Sequence, residues 1–227
     1  YNAQNPGAPL AYQPVTDARR RVVESARRFT QDVQQYQANF GFNGSFGNGI
    51  AWDVFYNFGE RQRTDHDFGQ WFGPNLSKAL GPSADLNGDG TPECYQNISD
   101  PSTLISGCVP LNLVGGPGTI TEAMLGYVGV DLTDSYLTRQ NEAALSFNGR
   151  FGHLPGGEIG WALGYTYGKV ELTYQPDSAK QRDEVTGNTG TGTNGSLQND
   201  SVFGEMLFPL YDNGQQSLNA KAGVRWD

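Results

Sequence analysis

Two cysteines, Cys94 and Cys108, are the only ones in the chain, and an acidic run stands directly before the first. Asp85-Leu86-Asn87-Gly88-Asp89-Gly90-Thr91-Pro92-Glu93 sets side-chain oxygens at alternate positions and follows them with glycine. That spacing suits a calcium loop in which Asp85, Asn87, Asp89 and Glu93 are the ligands. Gln96 stands where such a loop places its bidentate Glu, so an Asx-turn loop with solvated carboxylates fits the same residues. The cysteines have three options: a bridge, free thiols or a metal pair. His66 and His153 are the only histidines, and neither is close to the cysteines in sequence, so a metal site lacks ligands. A disulfide is expected. It would close a loop of about fifteen residues, worth roughly 3 kcal/mol on the chain-entropy model, and it implies an oxidising compartment.

Nothing else has the makings of a reaction centre. Asp65-His66-Asp67 holds acid–base groups, but no nucleophile motif stands beside it. His66 reads as a rim or ligand contact. The chain has no phosphate-binding glycine loop, zinc motif or nucleophile elbow. No enzymatic activity is expected, and no cofactor beyond the calcium reading.

The elements that would position these loops are strands. In Gln35–Asn43, Tyr36, Ala38, Phe40 and Phe42 share one face, and Gln35, Gln37, Asn39 and Asn43 the other. Only an extended chain sorts a period of two. The same sorting recurs over 50–61, 142–151, 159–168, 201–208 and 218–227. Apolar sets such as Trp52, Tyr56, Leu145, Trp161, Tyr165, Val224 and Trp226 oppose polar or small sets such as Asp53, Asn57, Glu142, Asn148, Thr166 and Arg225. Phe55, Phe203 and Leu207 break the rule by falling on the polar side. Each run has the nine to eleven or so residues that a tilted strand needs to cross a bilayer. Apolar towards lipid and polar towards a wet lumen is the pattern of a transmembrane barrel. A sandwich with one solvated face also alternates. Against it stand the many Gly and Ala on the polar faces and the Trp and Tyr near strand ends.

The connections alternate in length. Those at 44–49, 152–158 and 209–217 are short and rich in Gly, Asn, Asp or Pro, as hairpins require. Those at 62–140 and 170–200 are long, and 184–201 reads as a mobile loop. Short turns inside and long loops outside is the outer-membrane arrangement. It sends the strand from 35 inwards, that from 50 outwards, and so on in alternation. A mean hydropathy of -0.53 and the lack of an apolar run of ~18 residues exclude membrane helices but not barrel strands. The net charge of -9 argues against nucleic-acid binding. Arg19-Arg20-Arg21 and Arg27-Arg28 read as two sides of an exposed hairpin that could meet anionic surface lipid.

The fold expected is all-β: an antiparallel up-and-down meander forming part of a transmembrane barrel, with six or seven strands and long outer loops. One barrel domain covers 1–227. Within it, 1–34 is a leading loop and short strand, 62–140 a long outer loop with the disulfide, and 170–200 a second outer loop. Six or seven strands leave open edges that lipid does not tolerate, so both ends are expected to be truncated and the chain to be a piece of a larger barrel.

Cys108-Val109-Pro110-Leu111-Asn112-Leu113, followed by Gly115-Gly116-Pro117-Gly118-Thr119-Ile120-Thr121-Glu122-Ala123-Met124-Leu125, resembles a segment of TonB-dependent outer-membrane receptors. The large receptors of xanthomonads and caulobacters are the nearest kind. Arg27-Arg28-Phe29, the run from Phe42 to Gly44, Trp52 to Gly59, Pro155-Gly156-Gly157 and Leu163-Gly164-Tyr165 fit the same pattern, so the likeness spans most of 19–227. The resemblance implies a 22-stranded barrel, a plug and TonB-powered import across the outer membrane of a Gram-negative bacterium. The imported ligand would be scarce: a siderophore, an oligosaccharide or similar. The plug and TonB box are expected to lie outside this chain, so contact with TonB would run through that missing region. Outer-membrane lipid and the imported ligand are the other expected partners. Loops held by rigid strands carry recognition, which makes Gln70, Trp71, Asp85, Asn87, Tyr95 and Tyr127 the ligand-contact candidates. The rival readings are a passive porin-like barrel and a soluble calcium-dependent carbohydrate-binding sandwich.

Overall fold

A computed structural model describes residues 20–227; Arg19 and the rest of the leading segment lie outside them. In chain order the elements are β1 (Arg28–Ser45), β2 (Ala51–Trp71), α1 (Gly73–Ala79), β3 (Ser83–Ala84), β4 (Glu93–Cys94), a 3-10 turn (Pro101–Thr103), α2 (Glu122–Val128), β5 (Gly129–Leu154), β6 (Gly157–Gln175), α3 (Ser178–Gln181), β7 (Thr193–Asp212) and β8 (Ser217–Trp226). The chain is mostly strand. A six-stranded antiparallel sheet has the order β1-β2-β5-β6-β7-β8, the expected meander with the short β3-β4 pair interposed. The sheet is not closed: β1 and β8 are its edges.

The hairpins follow from local chemistry. At 46–50 the Phe46 amide donates to the Ile50 carbonyl at 2.8 Å and the Gly49 amide to Phe46 at 3.0 Å. Gly49 sits at φ 79°, which a side chain would resist. At 213–216 Asp212 and Asn213 accept from the amides of Gly214, Gln215 and Gln216, as Asx turns do. Register shifts between Phe151 and Leu154 and between Pro209 and Tyr211 bulge the sheet beside two of these turns.

The strands run well past the expected boundaries. β2 has 21 residues and β5 has 26, so 62–71 and 129–140 are strand rather than outer loop. Residues 28–34, 170–175 and 193–200 are likewise strand. The extensions at 62–67 and 193–200 are polar on both sides, Leu197 excepted, and so lack the period-two signal, whereas Val170, Leu172 and Tyr174 still alternate with Glu171, Thr173 and Gln175. Ladder pairing such as Gln31↔Asp65 and Leu172↔Gly195 holds them.

The described residues form two compact units rather than one domain: Arg27–Phe72 with Val130–Asp227, which is the sheet, and 20–26 with Gly73–Gly129, the insert. The insert has its own apolar core, with Ala79, Cys94, Tyr95, Leu111, Ile120 and Val128 buried. The expected disulfide is present, Cys94 to Cys108, with Cα atoms 5.8 Å apart. Asn75 Nδ2 donates to the Tyr127 carbonyl at 2.8 Å, tying α1 to α2. Thr121 caps α2 by accepting from the Met124 amide. Arg20 is not on an exposed hairpin with Arg27 and Arg28. Its guanidinium donates to the carbonyls of Asn112, Gly115 and Gly116 and pairs with Glu24 at 2.6 Å. Backbone carbonyls of the glycine-rich loop have captured it.

Candidate functional site: the polar face of the sheet

Register assigns the two faces strand by strand. Tyr36↔Glu60, Ala38↔Phe58, Phe40↔Tyr56 and Phe42↔Val54 share one side of β1 and β2; Gln37↔Gly59, Asn39↔Asn57 and Asn43↔Asp53 share the other. Across β5, β6 and β7, Leu145, Tyr165 and Val202 line up, and so do Ala144, Thr166 and Ser201. The apolar side is open to its surroundings: Phe40 is 60% exposed, Phe42 69% and Trp226 77%. In the six alternating segments, the residues that are fully buried are Asn57 and Ser201. Full burial in these segments thus falls on two polar-face residues, while Phe40, Phe42 and Trp226 of the opposite face stand exposed; Gln37, Asn39 and Asp53 on the polar face are exposed as well.

The polar face is knitted by side-chain bonds. Gln37 Nε2 donates to Asn57 Oδ1 at 3.1 Å, Asn57 Nδ2 to Glu142 Oε2 at 3.2 Å, and Gln140 Nε2 to Glu142 Oε1 at 2.7 Å. That rung spans β1, β2 and β5. Ser201, Asp227 and Arg225 form another, in which Arg225 donates to both partners.

Further from the short turns, the same face carries a denser cluster. Lys180 lies 2.9 Å from Asp134 and 3.9 Å from Asp67. Asp134 also accepts from the Asp177 amide and the Tyr174 hydroxyl. The Tyr136 and Tyr174 rings stack at 4.5 Å, and the Arg63 guanidinium lies 3.8 Å above Tyr136. Burial above all, with hydrogen bonds to Tyr136 and Asp134, pushes the Tyr174 hydroxyl far above the ordinary phenol range. These groups satisfy one another and fix this part of the sheet. Sequence reading missed them because they lie in stretches assigned to loops, and the signal that could have found them is the odd–even continuation of Asp65 and Asp67 from Asn57.

The expected ligand contacts do not form one site. Gln70 and Trp71 close β2: Gln70 is buried and donates to Asp67 at 2.9 Å, and the Trp71 carbonyl accepts from Thr186. Asp85, Asn87, Tyr95 and Tyr127 belong to the insert. Tyr95 is a core residue, 4% exposed, whose hydroxyl donates to Glu93 Oε2 at 3.0 Å; burial first, then Glu93, pushes its ionisation up. The expected calcium ligands are not assembled either. Among the described residues no group of three or more His, Cys, Asp or Glu side chains is placed to hold a metal ion. Asp85 instead uses both oxygens on the amides of Gly88, Asp89 and Gly90, Asn87 binds Asp89, and Glu93 accepts from Tyr95. The loop is an Asx-turn cage. His66 bridges Thr133 and Asp32 at 3.3 and 3.5 Å and stacks on Phe68, with no reaction centre around it.

No family model matches the chain, and no curated protein matches it.

Proposed function

We propose that the chain is a section of the wall of an outer-membrane β-barrel of the TonB-dependent receptor kind, serving uptake of a scarce ligand. The observation that carries this reading is the inverted burial of the sheet, with Asn57 and Ser201 buried while Phe40, Phe42, Leu163 and Val224 stand exposed. In water an aromatic face of that extent is a liability; in lipid it is the required surface, and the polar face lines a wet lumen. Trp52 and Trp161 pack over Gly44 and Gly149 beside two short turns. Tyr56 and Tyr165 turn their hydroxyls to Asn141 and Asp200 further along. Aromatic rings with a polar handle suit the two membrane interfaces. Beyond the tyrosines the strands run on into polar sequence, as a barrel does where it rises above the bilayer. The receptor assignment rests in addition on the Cys108–Leu125 segment, which runs through the insert.

Brominated lipid tests the placement. Reconstituted in vesicles, Trp52, Trp161 and Trp226 should each be quenched by brominated acyl chains when left as the single tryptophan, and Trp71 should not. Equal quenching of all four, or none, would end the membrane reading. A steady leak of small solutes from the same vesicles would mark a passive pore instead of a plugged receptor.

A further inference from the structure

We propose that Phe55 and the amide–carboxylate rung beside it form a saccharide subsite on the polar face. The inference rests on reading that face as a lumen. Phe55 breaks the alternation, and packing against β1 does not account for it. Its cross-strand partner is Gly41, where a built Cβ would meet only the Val54 carbonyl, so no β1 side chain overhangs the ring. Phe55 remains 36% exposed. The other aromatic exception behaves differently. The Phe203 ring lies so tightly on Gly164 that a Cβ there would collide with it, so this ring is used in packing.

Two residues along β2, on the same face, stands Asn57, held by Gln37 and Glu142. Those bonds use one N–H each of Gln37, Asn57 and Gln140 and engage both oxygens of Glu142. Among the described residues nothing donates to the amide oxygens of Gln37 and Gln140. The result is a flat apolar ring beside fixed acceptors. A pyranose has the complementary form: an apolar C–H face to lie on Phe55 and hydroxyl donors at its edge. Asp53 on one side of Phe55 and Glu142 on the other oppose an anionic ligand such as a ferric carboxylate chelate. A neutral oligosaccharide meets no such penalty.

The test uses the full-length receptor in detergent, applied to an array of neutral oligosaccharides and titrated in parallel with ferric citrate. A saccharide should bind. Phe55→Ala should weaken it on the order of tenfold, Phe55→Tyr should retain it, and Gln37→Ala should weaken it further. Heat-modifiable electrophoretic mobility checks that each variant is folded. Absence of any bound glycan, unchanged affinity in folded Phe55→Ala, or preference for ferric citrate would each overturn the proposal. Quenching of Trp161 by brominated lipid, after the same protein is reconstituted in vesicles, separates the two failures. Quenching without sugar binding removes the saccharide subsite alone; loss of quenching removes the lumen itself.

Discussion

The insert and the sheet of this chain obey opposite burial rules. The insert buries Ala79, Cys94, Tyr95, Leu111, Ile120 and Val128, as a small water-soluble fold does. The sheet buries Asn57, Asp65, Gln70, Asp134, Lys180 and Ser201 and leaves Phe40, Phe42 and Trp226 of its apolar face exposed. Its apolar cluster of Leu132, Ala179 and Val185, with Phe72 and Val130, lies at the ends of the strands furthest from the short turns. On the receptor reading the difference is one of solvent. Where the wall meets lipid, apolar groups gain nothing by turning inwards; where the strands stand in water, ordinary burial returns.

The largest effect should come from the polar interior of the sheet. Lys180 and Asp134 are 11% and 7% exposed at their side chains and 2.9 Å apart. Lys180→Ala strands a buried carboxylate, which typically costs about 3–5 kcal/mol. Denaturant midpoints of the folded protein measure it. A loss no larger than that of an exposed lysine such as Lys221 would mean that this face is wetter than its packing indicates.

The next effect sets the two faces against each other within one strand. Leu145→Arg, on the apolar face at the middle of its alternating segment, should destabilise by about 2–4 kcal/mol. Ser146→Arg, one residue on and on the polar face, should leave stability nearly unchanged. Equal costs at the two positions would erase the distinction between the faces.

How much of this was legible depended on whether one face of a strand was apolar. Tyr36 to Phe42 and Ile159 to Tyr167 announced themselves because apolar residues alternate there with polar or small ones. Gln62 to Asp67 and Thr193 to Asp200 did not, because polar residues or glycine fill both sides, Leu197 excepted, and ladder pairing keeps them extended. For the same reason Asp134, Tyr136, Tyr174 and Lys180 were invisible as a cluster: they meet only through pairing between distant strands. The Cys94–Cys108 bond was legible from spacing and scarcity of partners. The Asp85 loop was ambiguous because calcium loops and Asx turns use the same oxygens, and here the amides of Gly88, Asp89 and Gly90 bond to Asp85. Phe55 was legible as an anomaly, and its meaning depended on Gly41 and Glu142, which no local pattern links to it.

On the insert side, Cys94→Ser with Cys108→Ser should cost up to about 3 kcal/mol, and the loss should be local. Limited proteolysis between 80 and 112 should accelerate while protection of β1, β2 and β5 to β8 persists. Simultaneous loss of protection in the sheet would show that insert and sheet fold as one unit rather than under separate rules.

The smallest effect belongs to charges on the outward side beyond the tyrosines. Lys169 Nζ lies 2.6 Å from Glu171 Oε1, and the two side chains are 32% and 43% exposed. The hydrogen bond from Lys169, aided by its charge, holds the Glu171 carboxyl below the usual carboxylate range. The sign follows directly. Its contribution is fully present above the unfolded carboxylate range and is lost as pH falls through the lowered value. Exposure and salt screening keep it slight. Glu171→Gln should therefore leave stability at neutral pH within measurement error and slightly flatten the acid limb of the stability curve. Added salt should abolish even that difference. A large, salt-resistant loss at neutral pH would place Lys169 and Glu171 in a dry environment and raise the upper edge of the lipid-facing band past them.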